Sequence, residues 1–197
     1  SRLVYGFASA YMLTGKDVYL EAAQKGTEYL RDHLRFSDAG EDIVYWYHAV
    51  DIKHDGTEQK ILASEFGDDY NALPCYEQIY ALAGPVQTYR ITGDPAIHED
   101  ARRTINLFNR FYKDHSAAGG YYSHIDPITL DAHAETLGHN RARKNWNSVG
   151  DHAPAYLINL WLATGEEAHA DFLEYTFDTI AARFPDYAES AFVQEKF

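Results

Sequence analysis

The chain is 197 residues long, with 46% apolar and 24% charged residues, an ordinary globular composition for a domain large enough to bury a core. Its formal charge of -13 repels phosphate backbones and anionic lipid heads, which argues against nucleic acid and membrane surfaces as partners, and no run approaches the roughly 18 apolar residues of a membrane span. The expectation is a soluble, cytoplasmic protein whose lone Cys75 is a buried small apolar residue with no disulfide partner.

The first predicted element is an apolar helix from Arg2 to Leu13, ended by Thr14-Gly15-Lys16 and followed by an amphipathic run. The same marker returns as Thr92-Gly93-Asp94 and Thr164-Gly165-Glu166, so the chain reads as three helical hairpins joined by long loops. Glycine ends one helix at its C′ position and the next begins at once, with Asp94 as cap and Pro95 at the first helical position. The helices before the markers, Arg2 to Leu13, Ala72 to Ile91 and Asp151 to Ala163, are apolar nearly all round and read as inner helices buried on every side. Those after the markers carry one stripe each, such as Ile97, Ala101, Ile105 and Phe108, or Leu173, Phe177, Ile180 and Phe184, and read as an outer layer. The expected fold is all-α, an α/α toroid with its inner helices parallel. One mouth then collects the inner-helix N-termini, with their partial positive charge and free N–H groups, and loops of about thirty residues, longer than structureless connections usually run. The tyrosine-rich segments from Tyr45 to Asp51 and from Gly119 to Asp126 in those loops read as one hairpin strand repeated, so short β structure should cover the mouth.

Four segments in order carry a further likeness: Ser1-Arg2-Leu3, the run from Tyr76-Glu77-Gln78 through Tyr89-Arg90 to Thr92-Gly93-Asp94-Pro95, the Gly119-Gly120-Tyr121-Tyr122 loop, and Lys144 through Asn147. In these the chain resembles the N-acylglucosamine 2-epimerase and cellobiose 2-epimerase family of sugar epimerases and isomerases. The resemblance implies an (α/α)6 toroid of about twice this length, of which residues 1–197 match the first half. The domain is then partial, incomplete at both ends, and completed by a second half-toroid or by a homodimer. The implied activity is that of an isomerase acting on a free reducing-end sugar, by histidine-mediated proton abstraction and return through an enediolate, with no cofactor and no metal. By resemblance Arg2 contacts substrate, Tyr76 contacts the sugar ring, and Asn147 precedes the first catalytic histidine. The family pattern puts that histidine four residues after the asparagine, where this chain has Asp151 followed by His152. Pro154 is tolerated only in a first helical turn, so the helix starts near Asp151, and two readings follow: the altered start turns His152 into the catalytic place, or Asp151 is an N-cap and the catalytic role is lost.

His48 and His124, one in each tyrosine-rich loop, are further substrate-binding candidates. His33, His98, His115 and His169 fall in outer helices or at their ends and read as surface residues, while His133 with His139 is too unspecific a pair for a metal site. Two rival readings stay open. Glu65, Asp68 and Asp69 near the mouth suit a glycoside hydrolase, which needs one protonated and one ionised carboxyl. A non-catalytic toroid that binds glycan or protein is equally compatible with the fold.

Overall fold

Each Thr-Gly marker ends a helix by the same local chemistry. Gly15, Gly93 and Gly165 lie at φ of 67°, 66° and 67°, a left-handed conformation glycine adopts without a Cβ penalty, and their N–H groups donate to the carbonyls of Tyr11, Tyr89 and Trp161. The preceding threonine hydroxyl donates to a carbonyl one turn back, that of Ala10, Thr88 or Leu160, and accepts the N–H of the residue after the glycine. Two orphan groups of the turn are thereby satisfied without a loop.

The computed structural model describes residues 1–64 and 71–196, without the side chains of Asn147 and Asp151. The markers join α1 (Arg2–Thr14) to α2 (Asp17–His33), α3 (Cys75–Thr92) to α4 (Pro95–Leu107), and α5 (His152–Thr164) to α6 (Glu167–Arg183). Asp94 caps α4 by accepting the Ala96 N–H at 2.9 Å, ahead of Pro95. α1, α3 and α5 form the inner layer of half an α/α toroid, with α3 packed against both other inner helices.

Only α3 is buried on every side. It carries Ile79, Leu82, Ala83 and Val86 in the core, whereas α1 buries Val4 and Ala8 alone and leaves Leu3, Met12 and Leu13 exposed. α5 likewise leaves Ile158, Trp161 and Leu162 exposed. The all-round burial expected of α1 and α5 is therefore corrected: they are the two ends of the arc, and each has an inner neighbour on one side only. The stripe expected on α6 is shifted as well. Phe172, Thr176 and Thr179 face inward, and Phe177 is exposed.

The approach of α1 to α2 and α3 depends on one glycine in each. A Cβ on Gly84 would sit 2.5 Å from the Ser1 carbonyl oxygen and 2.7 Å from the Val4 Cβ, and one on Gly26 of α2 would sit 2.6 Å from the Val4 Cγ2. Val4 thus wedges between α2 and α3. Pro85, next in α3, cannot donate to the Ala81 carbonyl, and the Ser1 hydroxyl donates to it instead at 3.0 Å while accepting the Gly84 N–H at 2.8 Å. One hydroxyl repairs the interrupted helix and fixes the start of α1 on it.

Each outer helix runs into an antiparallel pairing. After α2, β1 (Arg35–Asp38) pairs with β2 (Ile43–Trp46); after α4 and its final π turn at Phe108–Tyr112, Lys113 bridges Tyr121; after α6, Pro185 bridges Val193. β3 (Ala49–Ile52) pairs with β4 (Glu58–Ile61), and β5 (Leu73–Pro74), just ahead of α3, pairs with β6 (His124–Ile125). The expected strand repeat is therefore real at a different place: Tyr45 to Asp51 spans the end of one hairpin and the start of another, and the repeated unit is the hairpin after each outer helix.

Candidate active site

A cavity of about 430 Å3 opens where the inner helices begin. Arg2 comes from the first residue of α1, Tyr76, Glu77 and Tyr80 from the first turns of α3, and His152 from the first residue of α5. Leu30 and Leu34 close one wall at the end of α2, Trp46 enters from the last residue of β2, and Tyr47 and His48 enter from the connection between β2 and β3. The helices begin here because their other ends are fixed by the Thr-Gly turns, so three N-termini and their partial positive charges share one mouth.

Rings line this mouth. The His152 imidazole lies 5.6 Å from the Tyr76 ring and 5.4 Å from the Tyr80 ring, centroid to centroid, and the Arg2 guanidinium lies 5.5 Å over Tyr80. Tyr80 also packs against Tyr156 one turn beyond His152, at 4.7 Å. Burial, then the hydrogen bond and the charge of Tyr80, push the Tyr156 phenol above its ordinary pKa, so the Tyr156 hydroxyl stays protonated. Flat faces, hydroxyls, one guanidinium and imidazoles suit a polyhydroxylated ligand that also has apolar C–H faces.

The loop carrying His48 is held by the core. Buried Gln78 of α3 accepts the Trp46 N–H at 2.7 Å and donates to the Trp46 carbonyl at 3.1 Å, while the Trp46 indole donates to Thr104 of α4 at 3.1 Å. Tyr47 then donates its N–H to Leu34, and His48 its N–H to Ile61. His48 Nδ1 lies 2.7 Å from Glu77 Oε1, and the Tyr76 hydroxyl donates to the same oxygen at 3.2 Å.

Of the residues singled out in the sequence, Arg2, Tyr76, His48 and His152 converge on this cavity. His124 is placed elsewhere: it is 3% exposed in β6, opposite Pro74, in the interior beside the start of α3. Asn147 begins the π turn Asn147–Asp151 that leads into α5, and its side chain lies outside the described residues. Glu65, Asp68 and Asp69, the carboxylates of the hydrolase reading, lie outside them too. Glu77, Tyr80 and Trp46 were not singled out. Tyr80 stands one helical turn after Tyr76, a spacing that marks a shared face. Cys75 is buried as expected, and burial raises its thiol pKa far above the ordinary value.

The outer histidines are corrected in part. His169 is 3% exposed, with Nδ1 2.8 Å from the Thr164 hydroxyl, and burial lowers its pKa. His98 stacks on Tyr89 and pairs with Glu166 at 2.5 Å, and His33 pairs with Glu58 at 2.5 Å. They sit where neighbouring elements meet, which buries or half-buries them; His115 is exposed, as expected. Among the described residues no group of three histidine, cysteine or carboxylate side chains is arranged to hold a metal, and no helix is long and apolar enough to cross a membrane.

No protein-family model matches the chain. A cellobiose 2-epimerase of Bacteroides fragilis is 26% identical over 151 residues, covering 77% of this chain and 30% of that protein. Among solved structures, the cellobiose 2-epimerase from Spirochaeta thermophila superposes with a TM-score of 0.72 at 20% identity, covering 100% of this chain and 44% of that one. The cellobiose 2-epimerase from Bacillus thermoamylovorans gives 0.70 at 16%, covering 100% and 46%, and a D-mannose isomerase gives 0.66 at 17%, covering 100% and 44%. The chain is thus similar, over its whole length, to somewhat less than half of a cellobiose 2-epimerase chain, and its fold is that of half an (α/α)6 toroid.

Proposed function

We propose that the chain supplies part of the active site of a sugar 2-epimerase or aldose-ketose isomerase acting on a free reducing-end sugar. The observation that carries this reading is the convergence of His152, Arg2, Tyr76 and Tyr80 on one cavity at the inner-helix N-termini. The likeness to proteins named cellobiose 2-epimerase and D-mannose isomerase supports it.

In the ring-opened sugar, His152 takes the proton from the carbon next to the carbonyl. The C–H electron pair becomes the new C=C bond, and the carbonyl oxygen takes up negative charge. Arg2 and the helix N-termini stabilise that oxygen, more strongly in the enediolate than in the neutral sugar. Proton return to the opposite face at the same carbon gives the 2-epimer. Return to the former carbonyl carbon, with a proton passing between the oxygens, gives the ketose. The Tyr76 and Tyr80 rings hold the sugar against the wall that carries His152.

Product analysis on cellobiose and D-mannose, with the rest of the toroid supplied, tests the reading. An epimerase or isomerase leaves the glycosidic bond intact and changes C2 configuration or carbonyl position, with activity removed by His152→Asn. Release of glucose from cellobiose would establish the hydrolase reading instead, and binding without any product the non-catalytic one.

A further inference from the structure

The hairpins that follow the outer helices repeat in register. The offset that carries Gly93 to Gly165 also carries Lys113 to Pro185 and Tyr121 to Val193, the bridged pairs of the second and third hairpins. Their hydrogen bonds recur with it. Asp114 accepts the Ser116 N–H at 2.8 Å and Asp186 the Ala188 N–H at 3.2 Å, while the N–H groups of Tyr122 and Gln194 donate to the Tyr112 and Phe184 carbonyls, each at 2.8 Å.

What differs is the cover. The first hairpin lies under α4, where the Trp46 indole donates to Thr104, and Asn106 and Arg103 donate to the Asp42 and Asp38 carbonyls at 2.8 and 2.6 Å. The second lies under α6, with the Tyr121 ring 5.2 Å from that of Phe172 and 5.5 Å from that of Tyr175, whose hydroxyl accepts the Gly120 N–H at 2.8 Å. At each tip an arginine from the end of the covering helix donates to a backbone carbonyl, Arg110 to that of Glu41 and Arg183 to that of Ala117 at 3.1 Å. Arg110 also holds the Glu41 carboxylate at 2.5 Å. Tyr121 is thereby 2% exposed, whereas its counterpart Val193 is 40% exposed, with Phe192 at 80% and Tyr187 at 76% in the same hairpin. The counterpart of Ala117 is Glu189, an exposed acid that brings to this tip the same carbonyl and carboxylate that Glu41 offers Arg110.

We infer that the hairpin of residues 185–193 is a docking surface for one amphipathic protein helix, which lays apolar or aromatic side chains on Phe192 and Val193 and brings an arginine near its C-terminal end to Glu189. The occupant follows from continuity with the two covered hairpins and from charge. Exposed rings and valine call for an apolar face, and Glu189 repels an acidic helix end while forming a charge-assisted pair with a guanidinium. α2 of a second copy does not meet this description. Arg31 in its last turn is held by Asp100 at 2.6 Å and His33 by Glu58, which leaves Asp32 as the remaining charge there. The partner is a different helix, and the inference is independent of the activity read for the cavity.

The test adds a synthetic peptide of residues 164–184, the helix that covers the second hairpin, to the 15N-labelled full chain. Backbone signals of residues 185–194 should shift on titration. Arg183→Glu in the peptide should weaken binding about tenfold, and Glu189→Arg in the chain should restore it for that peptide while weakening the unsubstituted one. No shift of residues 185–194 at millimolar peptide, shifts confined to residues 113–121 or to the exposed faces of α1 and α5, or equal binding of both peptides would overturn the inference. So would sedimentation in which Tyr187→Ser with Phe192→Ser abolishes self-association of the chain, since the occupant would then be a second copy.

Discussion

Lys144 and Asp114 show how single residues fix the loops around the site. Lys144 Nζ donates to Asp114 Oδ2 and to the Gly119 carbonyl, each at 2.5 Å, with both side chains under a tenth exposed. Burial pushes the Asp114 carboxyl up, but the Lys144 ammonium and the bonds from Ser116 outweigh it and hold its pKa at about 2. A carboxyl depressed in this way stabilises the fold above its unfolded pKa, near 4, and that stabilisation is lost as pH falls towards 2. Lys144→Met should cost about 3–5 kcal/mol in denaturant unfolding at neutral pH, because it leaves a buried unpaired carboxylate. Asp114→Asn should flatten the loss of stability between pH 4 and pH 2. Within the cavity, Arg2→Ala should lower kcat/KM of the complete toroid by a factor equivalent to a few kcal/mol, with little change in thermal unfolding, since Arg2 is exposed. Arg2, Tyr76 and His152 were legible through the family resemblance, and each stands at the start of an inner helix. Glu77 was not, because a first-turn acid looks like an ordinary dipole complement until its burial is known. His124 and His169 were not either, because strand pairing and contact between hairpins bury them, and neither leaves a mark in the local sequence.

At the scale of elements, the legible features were those with local chemistry. The Thr-Gly turns need only a left-handed glycine and a threonine hydroxyl, so three short motifs fixed where the helices turn. The closeness of α1 to α3 was hidden, because Gly84 and Pro85 inside a helix read as weak points until Ser1 and Val4 are seen against them. Gly84→Ala should therefore destabilise the protein by about 1–3 kcal/mol in thermal unfolding, although alanine has the higher helix propensity, because the added methyl meets the Ser1 backbone. A stabilised Gly84→Ala protein would mean that α1 is free to move off α3. The tyrosine-rich loops were read in the wrong register because aromatic content marks a covered strand without saying which strand covers it.

The whole molecule is an arc with unlike ends. Its first inner helix exposes Leu3 and Leu13, its last exposes Trp161 and Leu162, and exposed apolar surface of this extent promotes association. The chain on its own should self-associate in sedimentation experiments, and Leu13→Glu with Leu162→Glu should reduce that association without lowering the unfolding temperature. Both faces are where an (α/α)6 toroid continues, and the solved relatives are more than twice as long as the part this chain matches. The inner-helix N-termini nevertheless form a cavity with one guanidinium, two histidines and a row of rings already in place. Turnover of D-mannose or cellobiose in heavy water, with the toroid completed, tests most directly whether that cavity moves protons on a sugar. Solvent deuterium should appear at a carbon adjacent to the carbonyl, and His152→Asn should abolish the labelling. Product formed with those carbons unlabelled, or labelling undiminished in His152→Asn, would contradict proton transfer by His152.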